Sequence, residues 1–245
     1  MKVPKRLLIL FLISGITTAV SFCQAALIVL ILGDRVATEN FHLSIDGALN
    51  FPSLPGLETG KTFIGANFGL GTHIKLGNKW YLRPEFKPLS QKGAKGIKTL
   101  VPIPGDIETV KTNIRLNYID VPVLLQYNIT SNLFISAGPE ISFLTAATQI
   151  SEGTLNGKDV TVKLDTKYLF NNIDISFPVE LGYTVHVSTK KSTTKVTANI
   201  FARYNYGFSE VFKDPETGSS KLSLFQIGAN FPFIKSAEEL AKNKK

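Results

Sequence analysis

Between Leu116 and Ile129 the chain reads LNYIDVPVLLQYNI, apolar enough in sum for a buried helix yet interrupted by Asp120, Pro122, Gln126 and Asn128. Inside a helix Pro122 would remove a backbone donor and clash with the preceding turn, and Ile119, Val121, Val123 and Tyr127 favour extended backbone. Reading alternate positions gives Ile119, Val121, Val123, Leu125, Tyr127 and Ile129 on one side. The other side is Asp120, Pro122, Leu124, Gln126 and Asn128. That is the period of a strand with two unlike faces.

The same alternation recurs, giving eight such segments in all. Leu43, Ile45, Leu49 and Phe51 oppose Ser44, Asp46, Ala48 and Asn50; Ala66, Phe68, Leu70 and Ile74 oppose Asn67, Gly69, Gly71 and His73. WYLRPEFKP at 80–88 sets Trp80, Leu82 and Phe86 against Arg83, Glu85 and Lys87. The segment just read is the fourth. LFISAGPEISFL places Ile135, Ala137, Ile141 and Phe143 opposite Ser136, Gly138, Glu140 and Ser142. The sixth runs from Ile173 to Val187 with Asp174, Ser176, Pro178, Glu180 and His186 on its polar side; the seventh pairs Ile200, Tyr204 and Tyr206 with Asn199, Arg203 and Asn205. The last is SLFQIGANFPF, 223–233. Parity slips between Tyr118 and Ile119 and again at Leu224, where bulges are expected.

Connections alternate in length: 52–62 is long, LGNK short, 88–113 long, ITSN short, 146–172 long, then STKKSTTK, then a long stretch before the final strand. Long loops at one end and short turns at the other mark transmembrane barrels. In such a barrel the large apolar side chains meet lipid and the polar set fills the bore, the inverse of a soluble barrel. The expectation is an all-β fold, an eight-stranded antiparallel up-and-down transmembrane β-barrel over 41–233, in the outer membrane with both ends periplasmic. Asp46, Arg83, Glu85, Lys87, Glu140, Glu180 and Arg203 should then form a charge network that largely closes the lumen. Tyr118, Tyr127, Trp80, Tyr183, Tyr204 and Tyr206 suit an aromatic girdle. A soluble lipocalin-like periplasmic barrel holding a small apolar ligand is the alternative.

The start of the chain, MKVPKR followed by LLILFLISGITTAV and SFCQA, has the order of a secretory signal, so 1–25 is expected to be removed, with 26–40 a lead-in and 234–245 a basic periplasmic tail. ALIVLIL at 26–32 keeps an uncleaved anchor as the alternative. Cys23 is the sole cysteine and belongs to that leader, which leaves no disulfide in the mature chain. The formal charge of +8 is concentrated at the ends; removing three positive charges of the leader and a net two of the tail leaves about +3 on the body. No aromatic-basic stripe accompanies it, and a nucleic-acid partner is not expected.

NYIDVPVLLQYNI followed by NLFISAGPEISFL resembles the PorT-like outer-membrane β-barrel proteins of Bacteroidetes-type bacteria, with Tyr118, Pro122, Gly138 and Pro139 at the motif positions. The resemblance implies an envelope barrel, one namesake of which is tied to protein secretion and gliding. Outer-membrane lipid is then one partner, and envelope or secretion-system proteins are expected at the loops or tail.

Catalytic chemistry is not expected. His42, His73 and His186 are solitary, and neither GxSxG nor HExxH occurs. GANFGLG at 65–71 sits within a strand and lacks the helix that phosphate binding needs, so its glycines are read as interior packing. Glu140 and Glu180 are the one pair that an outer-membrane barrel enzyme could use, and balancing the lumen cations is the favoured role for both. No cofactor or metal is expected.

Overall fold

The computed structural model describes residues 38, 40–55, 57, 61–105, 107–188, 195–214 and 221–233. The expected leader (1–25), all but two positions of the lead-in (26–40), the tail (234–245) and most of the STKKSTTK turn lie outside the described residues. The chain divides into two compact units, Ser44–Pro232, which carries the barrel, and Met1–Leu43 with Phe233–Lys245. Within the second, the Phe233 N–H donates to the Leu43 carbonyl at 2.8 Å.

The strands are β1 (Phe41–Ser53), β2 (Gly65–Lys75), β3 (Trp80–Ile97), β4 (Glu108–Asn128), β5 (Leu133–Ala137), β6 (Glu140–Leu155), β7 (Lys158–Asp165), β8 (Ile173–Ser188), β9 (Lys195–Gly207) and β10 (Ser223–Pro232). All registered pairs are antiparallel, and the sheet closes on itself where β1 meets β10 and β3 meets β4. β5 and β6 are two lengths of one stave, while β7 folds back on the outer end of β6, which leaves a ring of eight.

The stave formed by β5 and β6 breaks at Gly138 and Pro139, yet its register does not change. Leu125 faces Ala137 below the break and Pro122 faces Glu140 above it, in step with each other. Prolines 122, 139 and 178 converge there on adjacent strands, and each withholds an N–H from the ladder. Gly138 closes the gap: its N–H reaches the Pro178 carbonyl at 3.2 Å, Val123 N–H reaches Pro139 O at 2.9 Å, and a Cβ at 138 would overlap the Val123 carbonyl oxygen. Three of the four motif positions therefore meet at one structural joint.

Sidedness follows the membrane arrangement. Leu49, Phe68, Phe86, Val123, Leu125, Ile175, Leu181, Ile200, Tyr204 and Ile227 point outward and are exposed, while Asp46, Asn50, Asn67, Arg83, Glu85, Gln126, Glu180 and Arg203 are buried in the bore. A soluble lipocalin-like barrel requires the opposite.

Two sequence expectations are corrected. The segments 88–113 and 146–172 are not mainly loops: β3 runs on to Ile97, β4 starts at Glu108, and β6 with β7 forms a hairpin through Asn156 and Gly157. Bulges do lie beside Tyr118, but the extra residue is in β3 and in β6 and the parity of β4 itself does not slip; at Leu224 there is no slip at all. In β4 the inward set continues unbroken as Thr112, Ile114, Leu116, Tyr118, Asp120, Pro122, Leu124 and Gln126, and β10 is in register with both neighbours through Leu224. The chemistry of both faces is exchanged. Past Ile119 the outward residues of β4 become Asn117, Arg115 and Asn113, and the inward ones become apolar.

β4 has 21 residues, about twice the 9–11 that a tilted membrane crossing needs. Its surplus stands in water, where an oily interior and a polar exterior are again stable. There Leu54, Ile97, Ile114, Leu116, Tyr118, Leu144, Ala147, Phe170, Val211, Phe212 and Leu222 form one apolar core. Phe170 and Phe212 lie with ring centroids 4.9 Å apart, and Asn171 Nδ2 donates to the carbonyls of Glu210 and Phe212, binding the long connections together.

Candidate functional site in the barrel lumen

Inward-facing positions of β3, β8 and β9 aim their side chains at the same cross-section. Arg83 donates to Glu85 Oε1 at 2.7 Å and to Glu180 Oε1 at 2.6 Å. Across the bore Arg203 forks onto Glu85 with two bonds of 2.9 Å, and its Nε reaches Glu180 Oε2 at 2.8 Å. Lys87 adds an ion pair to Glu85 at 2.8 Å, and Arg83 also donates to Gln126 and Ser136. The four residues Arg83, Glu85, Arg203 and Glu180 thus close a ring of ion pairs. Glu85 Oε1 and both carboxylate oxygens of Glu180 each accept two hydrogen bonds, and Glu85 Oε2 accepts one from Arg203 and faces the Lys87 ammonium. Acids held in this way are poor proton carriers and strong struts.

Glycines supply the space. A Cβ at Gly69 would overlap the Lys87 side chain, one at Gly71 would press on Ser44 and Asp46, and one at Gly182 would enter the Phe134 ring. The GANFGLG segment therefore packs the interior, as its in-strand position predicted. Phe134 and Phe201 lie against Arg83 and Arg203, with guanidinium-to-ring distances of 5.7 Å and 5.0 Å.

Asp46 is in the bore but outside this ring; Ser44 Oγ donates to it at 3.0 Å. Glu140 belongs to a second network nearer the long loops, where its Oε1 accepts from Ser176 and Asn205 at 3.2 and 2.9 Å. Lys92 lies 3.9 Å from Glu140, bonds Asp120 at 3.0 Å and Ser142 at 3.1 Å, and covers the Tyr118 ring at 4.6 Å. Glu140 and Glu180 are thus committed to separate networks. Asp174, which accepts from Ser209, lines the same end.

Lys92, Asp120 and Asp174 were not among the expected lumen charges. Lys92 falls in 88–113, which reads as a long connection, and Gly93, Lys95 and Gly96 around it have the composition of a loop. Asp120 carried a readable signal, being in phase with Gln126 on the polar face. Tyr118 belongs to the interior and not to the girdle; Trp80 and Tyr127, centroids 4.7 Å apart, form part of the outer wall near the short turns. Among the described residues no group of three or more His, Cys, Asp or Glu side chains is arranged to hold a metal ion.

A closed ring of tilted strands, lipid-compatible outside and charged inside, defines a transmembrane outer-membrane barrel. The family described as outer membrane protein beta-barrel domain matches residues 55–213, more than half of the chain, and the chain belongs to that family. It is a protein of the outer membrane. No curated protein matches it in sequence.

Among solved structures it is similar to OprG from Pseudomonas aeruginosa (13% identity, 81% of this chain and 98% of that one, TM-score 0.41). It is also similar to Neisserial surface protein A (12% identity, 79% and 96%, TM-score 0.40) and to Ail, the attachment invasion locus protein of Yersinia pestis (14% identity, 79% and 97%, TM-score 0.39).

Proposed function

We propose that this chain is a non-enzymatic, PorT-like barrel whose lumen is shut to solutes and which serves the envelope by engaging other proteins, secretion machinery included, at its long-loop end or its tail. The observation that carries the reading is the saturation of Glu85 and Glu180 by Arg83, Arg203, Lys87 and Ser136 across the bore. Opening a path would strip paired charges of their partners, which is strongly unfavourable in a confined interior. The apolar core above the ring adds a second closure, and a surface extended past the membrane offers area for a partner. By the rule that short turns face the periplasm, the long-loop end faces the cell exterior.

Planar-bilayer recording of the purified barrel tests closure: the expected trace has no stable conductance steps, and a large stable conductance would overturn it. Capture from cross-linked envelopes, with and without residues 234–245, then separates a loop-borne partner from a tail-borne one.

A further inference from the structure

β7 stands outside the ring of eight, and among the described residues only its β6 edge is paired. The pairing runs without a register shift from Leu155 and Lys158 at the turn to Thr148 and Asp165. Around a two-residue turn such as Asn156-Gly157 the flanking residues exchange both hydrogen bonds, and bonded and non-bonded pairs alternate beyond them. Lys158, Val160, Val162 and Leu164 thus turn their backbone groups to β6, and Asp159, Thr161 and Lys163 turn theirs to the open edge. The side chains of these last three are exposed, while Val160, Val162 and Leu164 are half-buried.

An open edge is a template for another strand, and sheets usually blunt it with proline, a bulge or charge. β7 has neither proline nor bulge, and its edge-facing charges are of opposite sign, placed evenly about Thr161 in Asp-Val-Thr-Val-Lys, 159–163. Laid antiparallel against itself with Thr161 opposite Thr161, that stretch sets Asp159 against Lys163 and Val160 against Val162 on both sides of the centre. Edge-facing residues then meet edge-facing residues, so their backbone bonds can form. Moving the register two residues one way opposes Asp159 to Asp165, and two residues the other way opposes Lys163 to Gly157 in the turn. Opposite charges and β-branched pairs stabilise a register and like charges disfavour it, so the segment selects its own copy.

We propose that β7 is a self-recognition edge, through which two copies of this chain join antiparallel about Thr161. The two-fold axis between antiparallel neighbours stands perpendicular to their sheet, and β6 stays paired with β4 from Ala147 to Thr154, so β7 continues the barrel wall. A two-fold through that wall inverts the second barrel and places the paired copies in facing membranes. The contact is one short strand, smaller than a stable interface requires, so single pairs are weak and many pairs between two membranes hold. The inference deepens the reading of the long-loop end as a contact surface and rests on it, without needing the closed lumen.

The test uses the full-length protein in phosphatidylcholine vesicles, which should cluster as read by light scattering. Vesicles carrying Asp159→Lys and vesicles carrying Lys163→Asp should each cluster about 10-fold less, because like charges then face each other at both ends of the contact. Mixing the two populations sets lysines against aspartates again and should restore clustering. In a Cys23→Ser background, oxidation should join Thr161→Cys into a dimer and should not join Asp165→Cys, which is also exposed but falls opposite Gly157 in this register. The cross-linking arm needs neither charge variant to fold. No clustering of the native protein, a mixture no better than either variant alone, or dimers of Asp165→Cys as readily as of Thr161→Cys would overturn the proposal. Only purified protein is present, so failure here leaves the capture of other envelope proteins at the same end unaffected.

Discussion

Replacing Arg203 with alanine should be the most damaging single change in the bore. Arg203 supplies both bonds of the fork to Glu85, at 2.9 Å each, and a further contact of 2.8 Å to Glu180, and it is 1% exposed. Without it Arg83 and Lys87 remain to balance Glu85, Glu180 and Asp46, one cation short. Leaving one buried member of an ion pair uncompensated costs about 3–5 kcal/mol, and because water can enter the vacated bore we expect about 3 kcal/mol. The assay is urea unfolding in lipid vesicles. Trp80 is the single tryptophan and lies on the outer wall beside Tyr127, so its fluorescence reports insertion directly. Arg115→Ala, on the exposed face of β4 beyond the membrane level, is the control and should leave the midpoint in place. Adding Glu180→Gln to Arg203→Ala removes the surplus negative charge and should restore part of the loss, a coupling of about 1 kcal/mol or more. An Arg203→Ala midpoint indistinguishable from that of Arg115→Ala would refute the ring as a structural strut.

Gly138→Ala should block assembly, since its Cβ has nowhere to go against the Val123 carbonyl; heat-modifiable mobility on a gel should show the unfolded band, and a normal folded band would mean the joint can relax. Limited trypsin digestion of the folded barrel should cut at exposed Lys158 in the β6–β7 hairpin and spare Lys92, and early cleavage at Lys92 would return that segment to a mobile loop. Cysteines placed at Asn78 and at Asn156 report orientation: an impermeant thiol reagent on intact cells should label 156 alone, and labelling at 78 alone would invert the barrel.

The barrel was legible because Pro122 forbids a helix and because Asp46, Arg83, Glu85, Glu180 and Arg203 fall mid-strand on the side opposite the large apolar residues. Its height was not. Above the membrane the outer solvent becomes water, so Ile114 and Leu116 turn inward and Arg115 outward, and a strand read on the assumption of one solvent looks like a register slip. The same change disguised Lys92, which sits among Gly93, Lys95 and Gly96 as a loop lysine would, although it reaches Asp120 across the strand pair. One local signal was readable and missed. Asn156-Gly157, both with positive φ of 51° and 75°, is the turn that the β6–β7 hairpin requires. The cross-bore pairing of Arg203 with Glu85 joins positions 118 apart in sequence, and nothing local in the sequence specifies which acid meets which base.

The central claim is that β4 passes from lipid into water with its own in–out alternation unbroken, although its ladders to β3 and β6 both shift there. Spin labels placed singly at Arg115, Val121, Val123 and Leu125 of β4, in vesicles, compare collision with oxygen, which concentrates in lipid, against a water-soluble nickel chelate. Oxygen should dominate at 121, 123 and 125 and the nickel chelate at 115, with the crossover between Asn117 and Ile119. Nickel access along the whole outward face, 121 to 125 included, would contradict the account.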